Sequence, residues 1–392
     1  MLDLACIRAD TPATQRRAYL HNAGAALTPA PIVAAMKDYL DLEAEIGGYA
    51  AATREAARLD SVYASVARLL NARPDEIALV ENATVAWQMA FYALALTFKP
   101  GDRILTAEAE YAANYVAFLQ IAQRSGIEID VVPSDASGAL DVAALERMID
   151  RRVKLIAITW VPTNGGLANP AAEVGKIARA HDIPYLLDGC QAVGQMVVDI
   201  EALGCDMFSA TGRKFLRGPR GSGFLYIKRE LMLRLEPPII DHFAADWVAR
   251  DRYELRDDAR RFENWENNYA ARLGLGLAVD YALAIGLSEI EARCRMLSGR
   301  LRDGLRSIPG AAVRDLGANP SAIVSFTLDG IAAGDVVAKA AAASITIGAS
   351  DPASTRIDAE RRALPVLVRA SPHYYNNEDE VDRLVALCEG LR

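Results

Sequence analysis

Two residues of the sequence, Asp188 and Lys214, have the types and the placement to act together in a reaction. Asp188 ends the apolar run "IPYLLD", and Lys214 follows after one more apolar run, inside the basic, glycine-rich stretch "SATGRKFLRGPRGSGFLY". Ligands of open α/β sheets lie outside the carboxyl ends of the strands, where a reactive carboxylate is expected. Taken singly, Asp188 could cap a helix and Lys214 could be a solvated surface lysine.

A second group of residues has the properties of a phosphate site. In "ENATVAWQMAFYAL", Ala83 and Thr84 stand at the start of a predicted amphipathic helix, whose first N–H groups are unpaired and lie at its positive end. Thr211 and Arg213 stand beside Lys214, and a hydroxyl and a guanidinium both suit a phosphate dianion. A lysine for a Schiff base, a carboxylate for a ring nitrogen and a phosphate cradle are together what pyridoxal 5′-phosphate (PLP) requires.

The elements that must position these residues alternate between strand and helix. This rhythm predicts an α/β fold with a mostly parallel sheet covered by helices. A polar segment that lacks periodicity, residues 236–268, is expected to be a long functional or interfacial loop. The predicted strands are residues 154–161, 183–188, 205–210 and 221–228, and the predicted helices are 170–181, with Pro170 near its first turn, and 269–286.

Composition narrows the class of protein. The 392 residues are 52% hydrophobic and 24% charged, which favours a large folded domain with a smaller one. The net charge of -8 without a basic stripe argues against nucleic-acid binding, and no apolar run reaches the roughly 18 residues of a membrane helix. Five scattered cysteines and four histidines show no metal-ligand spacing, so no metal site is expected. The first 17 residues have no apolar signal-peptide core, so we expect a cytoplasmic protein with reduced thiols.

The motifs, in their order and spacing, resemble the class V aminotransferase family of fold-type-I PLP enzymes. This family includes cysteine desulfurases, isopenicillin N epimerase-like proteins and hercynylcysteine sulfoxide lyases. The resemblance runs from "YLHNAGAALTP" to "VLVRASPHYYNNEDEVDRL". It implies a fold-type-I PLP-dependent transferase fold, with a mostly parallel seven-stranded sheet in a large domain (18–262) and a smaller α+β domain (1–17 and 263–392). It also implies a homodimer whose subunits share their active sites.

The resemblance gives roles to the positions that match the family motifs. Lys214 would bind the cofactor as a Schiff base, Asp188 would pair with its ring nitrogen, and Gln191 would bond its phenolic oxygen. Tyr111 falls where desulfurases place a ring-stacking histidine, and its phenol could also relay protons. The phosphate would be held by four residues of the same chain, namely Ala83, Thr84, Thr211 and Arg213.

Further positions would meet the substrate or the cofactor. Arg369 would grip the substrate α-carboxylate, for which a bidentate arginine is the natural partner. Thr163 stands where relatives often have asparagine, with Asn164 beside it, and which of them touches the cofactor is open. The motif "YLHNAG" would face the substrate through His21, Asn22 and Ala23, with His21 either an acid–base group or a strand-end residue.

The stretch "RFENWENN" (261–268) departs from the family pattern. It lies where one subunit would reach the phosphate of its neighbour, but Trp265 and Glu266 stand at the usual Gly-Thr pair. An acidic side chain does not favour a phosphate, so Glu266 would pair with a base, or Asn267 and Asn268 would make the contact. The following "NYAARLG" is similar to the helix start of hercynylcysteine sulfoxide lyases.

The corresponding region for the sulfur-accepting thiol of desulfurases, residues 347–365, contains no cysteine. Ordinary desulfurase chemistry is therefore not expected. The favoured interpretation is a β-eliminating C–S lyase that acts on a cysteine conjugate or sulfoxide and releases pyruvate and ammonia. Amino-acid epimerase and aminotransferase activity remain alternatives, as does, from a different class, a protein that binds the cofactor without turnover.

Overall fold

The computed structural model describes residues 2–391 and contains one large and several small β-sheets. The strands within this range are β1 Ala18–Tyr19, β2 Ile77–Val80, β3 Arg103–Ala107, β4 Glu128–Val132, β5 Val153–Thr159, β6 Tyr185–Asp188, β7 Met207–Thr211, β8 Gly223–Ile227, β9 Ala245–Ala249, β10 Arg252–Leu255, β11 Ala311–Val313, β12 Val324–Leu328, β13 Ile345–Thr346, β14 Gly348–Ser350 and β15 Leu367–Ala370.

The helices cover both faces of the large sheet and one side of the smaller one. They are α1 Leu4–Ala9, α2 Ala30–Ile46, α3 Gly48–Arg54, α4 Ala56–Leu70, α5 Ala83–Ala95, α6 Ala112–Ser125, α7 Val142–Met148, α8 Ala171–Ala180, α9 Ile200–Leu203, α10 Arg229–Met232, α11 Tyr269–Ile285, α12 Leu287–Arg306, α13 Ala333–Ala342, α14 Arg356–Arg361 and α15 Glu378–Gly390.

The large sheet has seven strands in the order β2-β8-β7-β6-β5-β3-β4. Neighbouring strands from β7 to β4 are parallel, and β8 runs antiparallel to both β7 and β2. Successive side chains of a strand point to opposite faces, so Leu186 of β6 enters one core and Leu187 the other. Burial on both faces explains why these strands read as continuous apolar runs. The predicted fold class is confirmed.

The smaller sheet has the antiparallel order β11-β12-β15-β14 and encloses a third core with α12, α13 and α15. Strand β1 pairs with β13, so Ala18 and Leu20 belong to this third core. Helix α11 packs against α2 and α4 beside the large sheet. The division at residues 18–262 against 1–17 and 263–392 stays a prediction, and these two elements lie across it. Residues 1 and 392 of those ranges are outside the described residues.

The predicted elements are confirmed with small shifts of their ends, but the predicted loop 236–268 is not structureless. It contains the antiparallel hairpin of β9 and β10 and the short 3₁₀ helix Ala259–Phe262. The hairpin side chains are mostly exposed and many are charged. With no face buried, nothing imposes the apolar alternation by which a strand is recognised in sequence.

Among residues 2–391, no single helix has both the length and the apolar composition to cross a bilayer. Helices α11 and α12 meet those criteria only when they are taken together, and they are bent by 81° where they meet.

Candidate active site

Parallel strand ends bring Asp188 and Lys214 to the same edge of the large sheet. Thr159 of β5, Asp188 of β6 and Ser209 of β7 are aligned in register, and Lys214 follows β7 by a short turn. Asp188 is 5% exposed and Lys214 is 9% exposed. Both side chains are withdrawn from water, and the nearby Lys214 amine favours the ionised form of the Asp188 carboxyl.

The Asp188 carboxylate is held by two hydrogen bonds. Oδ1 accepts from the Cys190 backbone N–H at 2.9 Å, and Oδ2 accepts from Asn114 Nδ2 at 2.9 Å. Burial raises the pKa of the Asp188 carboxyl, against the effect of these hydrogen bonds and of the Lys214 charge. A cationic ring nitrogen placed beside this carboxylate would relieve that desolvation.

A cavity of about 540 Å³ connects this pair to the start of α5. Ala83 and Thr84, the first residues of that helix, line it, and the Asn82 side chain caps the helix by accepting from Val85 N–H at 3.0 Å. The further lining residues include those predicted from "ATGRK" and two that sequence reasoning missed, Asn114 and Arg220. They are Tyr111, Asn114, Asp188, Cys190, Thr211, Arg213, Lys214 and Arg220.

Because Gly223 has no side chain, strand β8 can lie close to the backbone at the start of α5. A Cβ at this position would lie 2.7 Å from Ala210 O and 2.8 Å from Asn82 C, both of them backbone atoms. The helix N-terminus, Thr84, Thr211 and two arginines line the same cavity as Lys214 and Asp188. The first group suits a phosphate dianion, and Lys214 with Asp188 suits an aldehyde and a ring nitrogen.

Gln191 has an unsatisfied atom beside this pair. Its Nε2 donates to Ala23 O at 3.1 Å, whereas its Oε1 is buried and has no hydrogen-bond partner within residues 2–391. Buried polar groups are nearly always paired, so an orphaned amide atom indicates a missing ligand group. The residues present therefore fit PLP, and the contact of Gln191 with the cofactor's phenolic oxygen stays a prediction.

Tyr111 stands directly before α6 and lines the cavity with its side chain partly exposed. Burial raises the pKa of its phenol, and the neighbouring Cys190 and Asp188 act in the same direction. The phenol is thus a neutral hydrogen-bonding group at neutral pH. Its stacking role stays a prediction.

Arg369 of β15 reaches toward the large domain and is 8% exposed. Its Nη1 donates to Thr163 O and Oγ1, while its Nε is buried and unpartnered in the described part of the chain. Burial lowers the pKa of Arg369 to about 10, which leaves it charged at neutral pH. One edge of the guanidinium is therefore fixed by Thr163, and Nε remains for a ligand.

The structure separates the roles of Thr163 and Asn164. The Asn164 amide donates to Thr355 Oγ1 at 3.0 Å and accepts from Ser350 Oγ, so it ties the start of this loop to residues 350–355. Thr163 holds Arg369 instead. Contact between Thr163 and the cofactor stays a prediction.

The motif "YLHNAG" is docked on the strand that bears Arg369 and on the residues after it. Asn22 Nδ2 donates to Ser371 O at 2.7 Å, and Asn22 Oδ1 accepts from Tyr375 OH at 2.5 Å. Both ends of this fully buried amide are engaged, which does not favour the predicted substrate contact of Asn22 and gives it a structural role. Ala23 accepts from Gln191 through its O and donates from its N to Ser371 Oγ.

His21 lies between two glycines near Arg369. A Cβ at Gly24 would lie 2.3 Å from the imidazole ring, and a Cβ at Gly348 would lie 2.2 Å from it, so any other residue at either position would displace the ring. Its Nδ1 is buried without a partner among the described residues. Burial, followed by the Arg369 charge, lowers the pKa of His21 to about 4, so the ring is neutral at neutral pH.

The turn that carries Lys214 is anchored by residues that the sequence did not single out. Arg217, fully buried and with a positive φ of 62°, donates to Leu27 O, Thr11 Oγ1 and Tyr374 OH. His373 makes a 2.6 Å contact with Phe215 O. The basic stretch around Lys214 and the aromatic "HYY" can both be seen in the sequence. Only the structure shows that they contact each other and brace the lysine turn.

The structure places two further features predicted from sequence, Asn268 and the cysteine-free segment 347–365. The Asn268 side chain caps α11 by accepting from Ala271 N–H at 2.8 Å, so it is used within its own chain. Residues 347–365, which lack cysteine, form β14, a 3₁₀ helix and α14. Within residues 2–391, no cluster of three or more histidine, cysteine, aspartate or glutamate side chains could hold a metal ion.

The neutral, buried His21 predicts a specific acid sensitivity. In the unfolded chain the imidazole binds a proton near its ordinary pKa of 6.5, but in the folded protein only near 4. Folding stability should therefore fall as the pH decreases from about 6.5 to about 4, because the unfolded state binds more protons there. Thermal unfolding across this range should show a smaller acid loss for His21→Asn than for the unsubstituted protein. The exposed His181→Asn is the control, and equal acid losses for His21→Asn and the unsubstituted protein would contradict the assignment.

Comparison with known proteins agrees with this geometry over almost the full chain. Residues 18–384 match the family model for aminotransferase class-V. A probable cysteine desulfurase of Pyrococcus abyssi is 30% identical over 390 residues, covering 98% of this chain and 96% of its own. A cysteine desulfurase of Dickeya dadantii is 32% identical over 393 residues, covering 97% and 94%.

Solved structures show the same architecture. The apo cysteine desulfurase of Thermococcus onnurineus NA1 superposes with a TM-score of 0.92 at 27% identity, covering 100% of this chain and 98% of its own. The predicted PLP cofactor is confirmed by this family relationship, and the protein is an enzyme. A chain with this fold and this arrangement of lysine, aspartate and phosphate cradle, matched by the family model from residue 18 to residue 384, belongs to the aminotransferase class-V family.

Proposed function

We propose that this PLP enzyme is a β-eliminating C–S lyase that acts on a cysteine conjugate or a cysteine sulfoxide and releases pyruvate and ammonia. Three observations support the proposal: Lys214 and Asp188 line one cavity, the Arg369 charge acts on Tyr111 of that cavity, and segment 347–365, which pairs with the Arg369 strand, has no thiol. The relatives named as cysteine desulfurases support C–S chemistry on an amino acid. Without a cysteine in that segment, the sulfur would leave with its substituent and would not pass to the protein.

Each residue has a task that follows from its position. PLP supplies, when bound, an electron sink for the pair left on the substrate Cα. Lys214 removes the α-proton, and the ionised Asp188 keeps the ring nitrogen protonated so that the sink works. Arg369 binds the α-carboxylate through the edge that Thr163 leaves free.

Groups near the substrate determine which bond is broken next. Tyr111, with its phenol protonated, can donate a proton to a departing sulfur group. An epimerase needs a second acid, and His21, neutral through burial and the Arg369 charge, is a poor cationic acid at neutral pH. This argues against an epimerase. Epimerase and aminotransferase activity are kept as outcomes that the substrate assay described next can reveal.

The assay compares purified enzyme on cysteine S-conjugates, cysteine sulfoxides and unsubstituted amino acids. We expect pyruvate and ammonia in equal amounts from the sulfur substrates, and neither from Lys214→Ala, which should also lose the visible absorbance of the linked cofactor. The exposed Lys176→Ala is the control and should keep both. Loss of optical rotation without pyruvate would replace the lyase by an epimerase, and consumption of an added keto acid would replace it by an aminotransferase.

Substrate binding gives an independent prediction. Arg369→Ala removes a buried cation that pairs with the carboxylate, so kcat/KM should fall roughly 100-fold or more, chiefly through a raised KM. The exposed Arg306→Ala should leave both constants unchanged. An unaltered KM in Arg369→Ala would show that another group binds the carboxylate.

We also propose that two copies of the chain form a dimer through segment 236–268. Glu263 fixes the end of this segment by accepting from Tyr63 OH, Leu79 N–H and Arg272. The hairpin of β9 and β10 in this segment is mostly exposed: Trp247 is 78% exposed, and Tyr253, opposite it across the hairpin, is 46% exposed. Exposed apolar side chains that group into one patch can mark a protein contact. Because the Asn268 side-chain oxygen caps α11, the amide nitrogen of Asn268 or of Asn267 would contact the neighbour's phosphate, and Glu266 would pair with a base.

The oligomeric state tests this arrangement. Sedimentation should give a dimer for the unsubstituted protein, and Trp247→Glu should shift it toward monomer with lower cofactor occupancy. A monomeric protein with full activity would exclude shared active sites.

A further inference from the structure

Glu110, which stands between the end of β3 and the start of α6, is buried directly behind the Asp188 site. Its carboxylate accepts from Thr159 N at 2.8 Å, from Thr159 Oγ1 at 2.6 Å and from Thr106 Oγ1 at 3.2 Å. It also accepts from Tyr111 N at 3.1 Å and from Asn114 Nδ2 at 2.8 Å. None of these donors carries a charge.

Asn114 joins Glu110 to Asp188. The same nitrogen, Nδ2, donates to Glu110 Oε1 at 2.8 Å and to Asp188 Oδ2 at 2.9 Å. An amide nitrogen has two N–H groups, and here each one is directed to a different carboxylate. Rotation of the amide by half a turn would place its oxygen against two carboxylates, so Glu110 and Asp188 together fix its orientation.

The arrangement is costly, which argues that it serves more than packing. Two carboxylates share one neutral bridge in a region closed to water. Burial raises the pKa of Glu110 to about 7, and the charge of Asp188 adds to the increase, while the hydrogen bonds from Thr159 and Asn114 oppose it. A glutamine in this place would turn its own N–H groups toward at least one of the surrounding donors. The ionised carboxylate, which only accepts, satisfies all of them.

We propose that Glu110 is a positioning residue that acts through Asn114 to hold the Asp188 carboxylate against the ring nitrogen of the cofactor. If Glu110 is lost, the Asn114 amide can rotate, and Asp188 keeps only the Cys190 N–H as a fixed donor. Asp188 would then hold the ring nitrogen less firmly. The inference rests on the cofactor role of Asp188 and is independent of which bond of the substrate is broken.

Cofactor binding to the apoprotein, measured without substrate, tests the proposal. Glu110→Gln should raise the PLP dissociation constant about tenfold, which corresponds to about 1.4 kcal/mol, and Asn114→Ala should do the same. Both substitutions disrupt the same bridge. The PLP dissociation constant of the double variant should therefore be no higher than that of whichever single variant binds PLP more weakly, so the two effects are not additive. The pH midpoint of the cofactor's visible absorbance should shift in all three.

A matched control separates positioning from general stability. Glu76 is also buried, and it accepts from the backbone N–H groups of Arg73 and Arg229, far from the cavity. Glu76→Gln should lower the thermal unfolding temperature of the apoprotein as Glu110→Gln does, but it should leave PLP affinity and the spectral midpoint unchanged. If Glu110→Gln does not fold, Glu110→Asp, which keeps the charge on a shorter side chain, is measured in its place.

Two results would overturn the proposal. One is unchanged PLP affinity and spectral midpoint in a folded Glu110 variant, which would make Glu110 a structural residue only. The other is full additivity of the Glu110 and Asn114 effects, which would show that they act separately. A failure of C–S lyase activity would leave these measurements unaffected, so the two proposals can fail independently.

Discussion

The structure depends on holding a carboxylate and an amine, Asp188 and Lys214, out of water at one edge of a parallel sheet. The Asp188 carboxylate alone would be strongly disfavoured there, and it is tolerable because Lys214 is near and because Asp188 also receives two hydrogen bonds. The parallel arrangement supplies this proximity, since consecutive strands end at the same edge. The helix that begins at Ala83 adds the positive pole that a phosphate needs.

The same site is also the meeting point of the two sheets. Arg369 comes from the small sheet, the Lys214 turn from the large one, and residues 19–24 connect them. Arg217 and His373 hold the lysine turn to the segment after Arg369, through Tyr374 and Phe215 O. A change in the position of one sheet would therefore move Arg369 relative to Lys214, so the geometry of the site depends on how the two sheets are packed.

Members of the same family can share this framework and differ in the fate of sulfur. Lys214, Asp188 and the start of α5 line one cavity, whereas the segment from β14 to α14 carries no thiol. That segment is held to the loop after β5 by the Asn164 amide. The part of the structure that fixes the cofactor is therefore separate from the part that would receive a product.

Much of this molecule was predictable from sequence, for physical reasons. Buried strands must be apolar on both faces, so the runs ending at Asp188 and before Lys214 were recognisable, and the chemistry of lysine, aspartate and a helix start indicated PLP. The hairpin of β9 and β10 was not recognisable, because its exposed strands carry no periodic apolar face. Local sequence thus determined which residue types could do chemistry and which elements present them. Tertiary structure alone decided that Asn114 bridges Glu110 to Asp188, that Arg217 braces the lysine turn and that the Asn22 amide is used internally, because such contacts join residues far apart in the chain and leave no pattern within either segment.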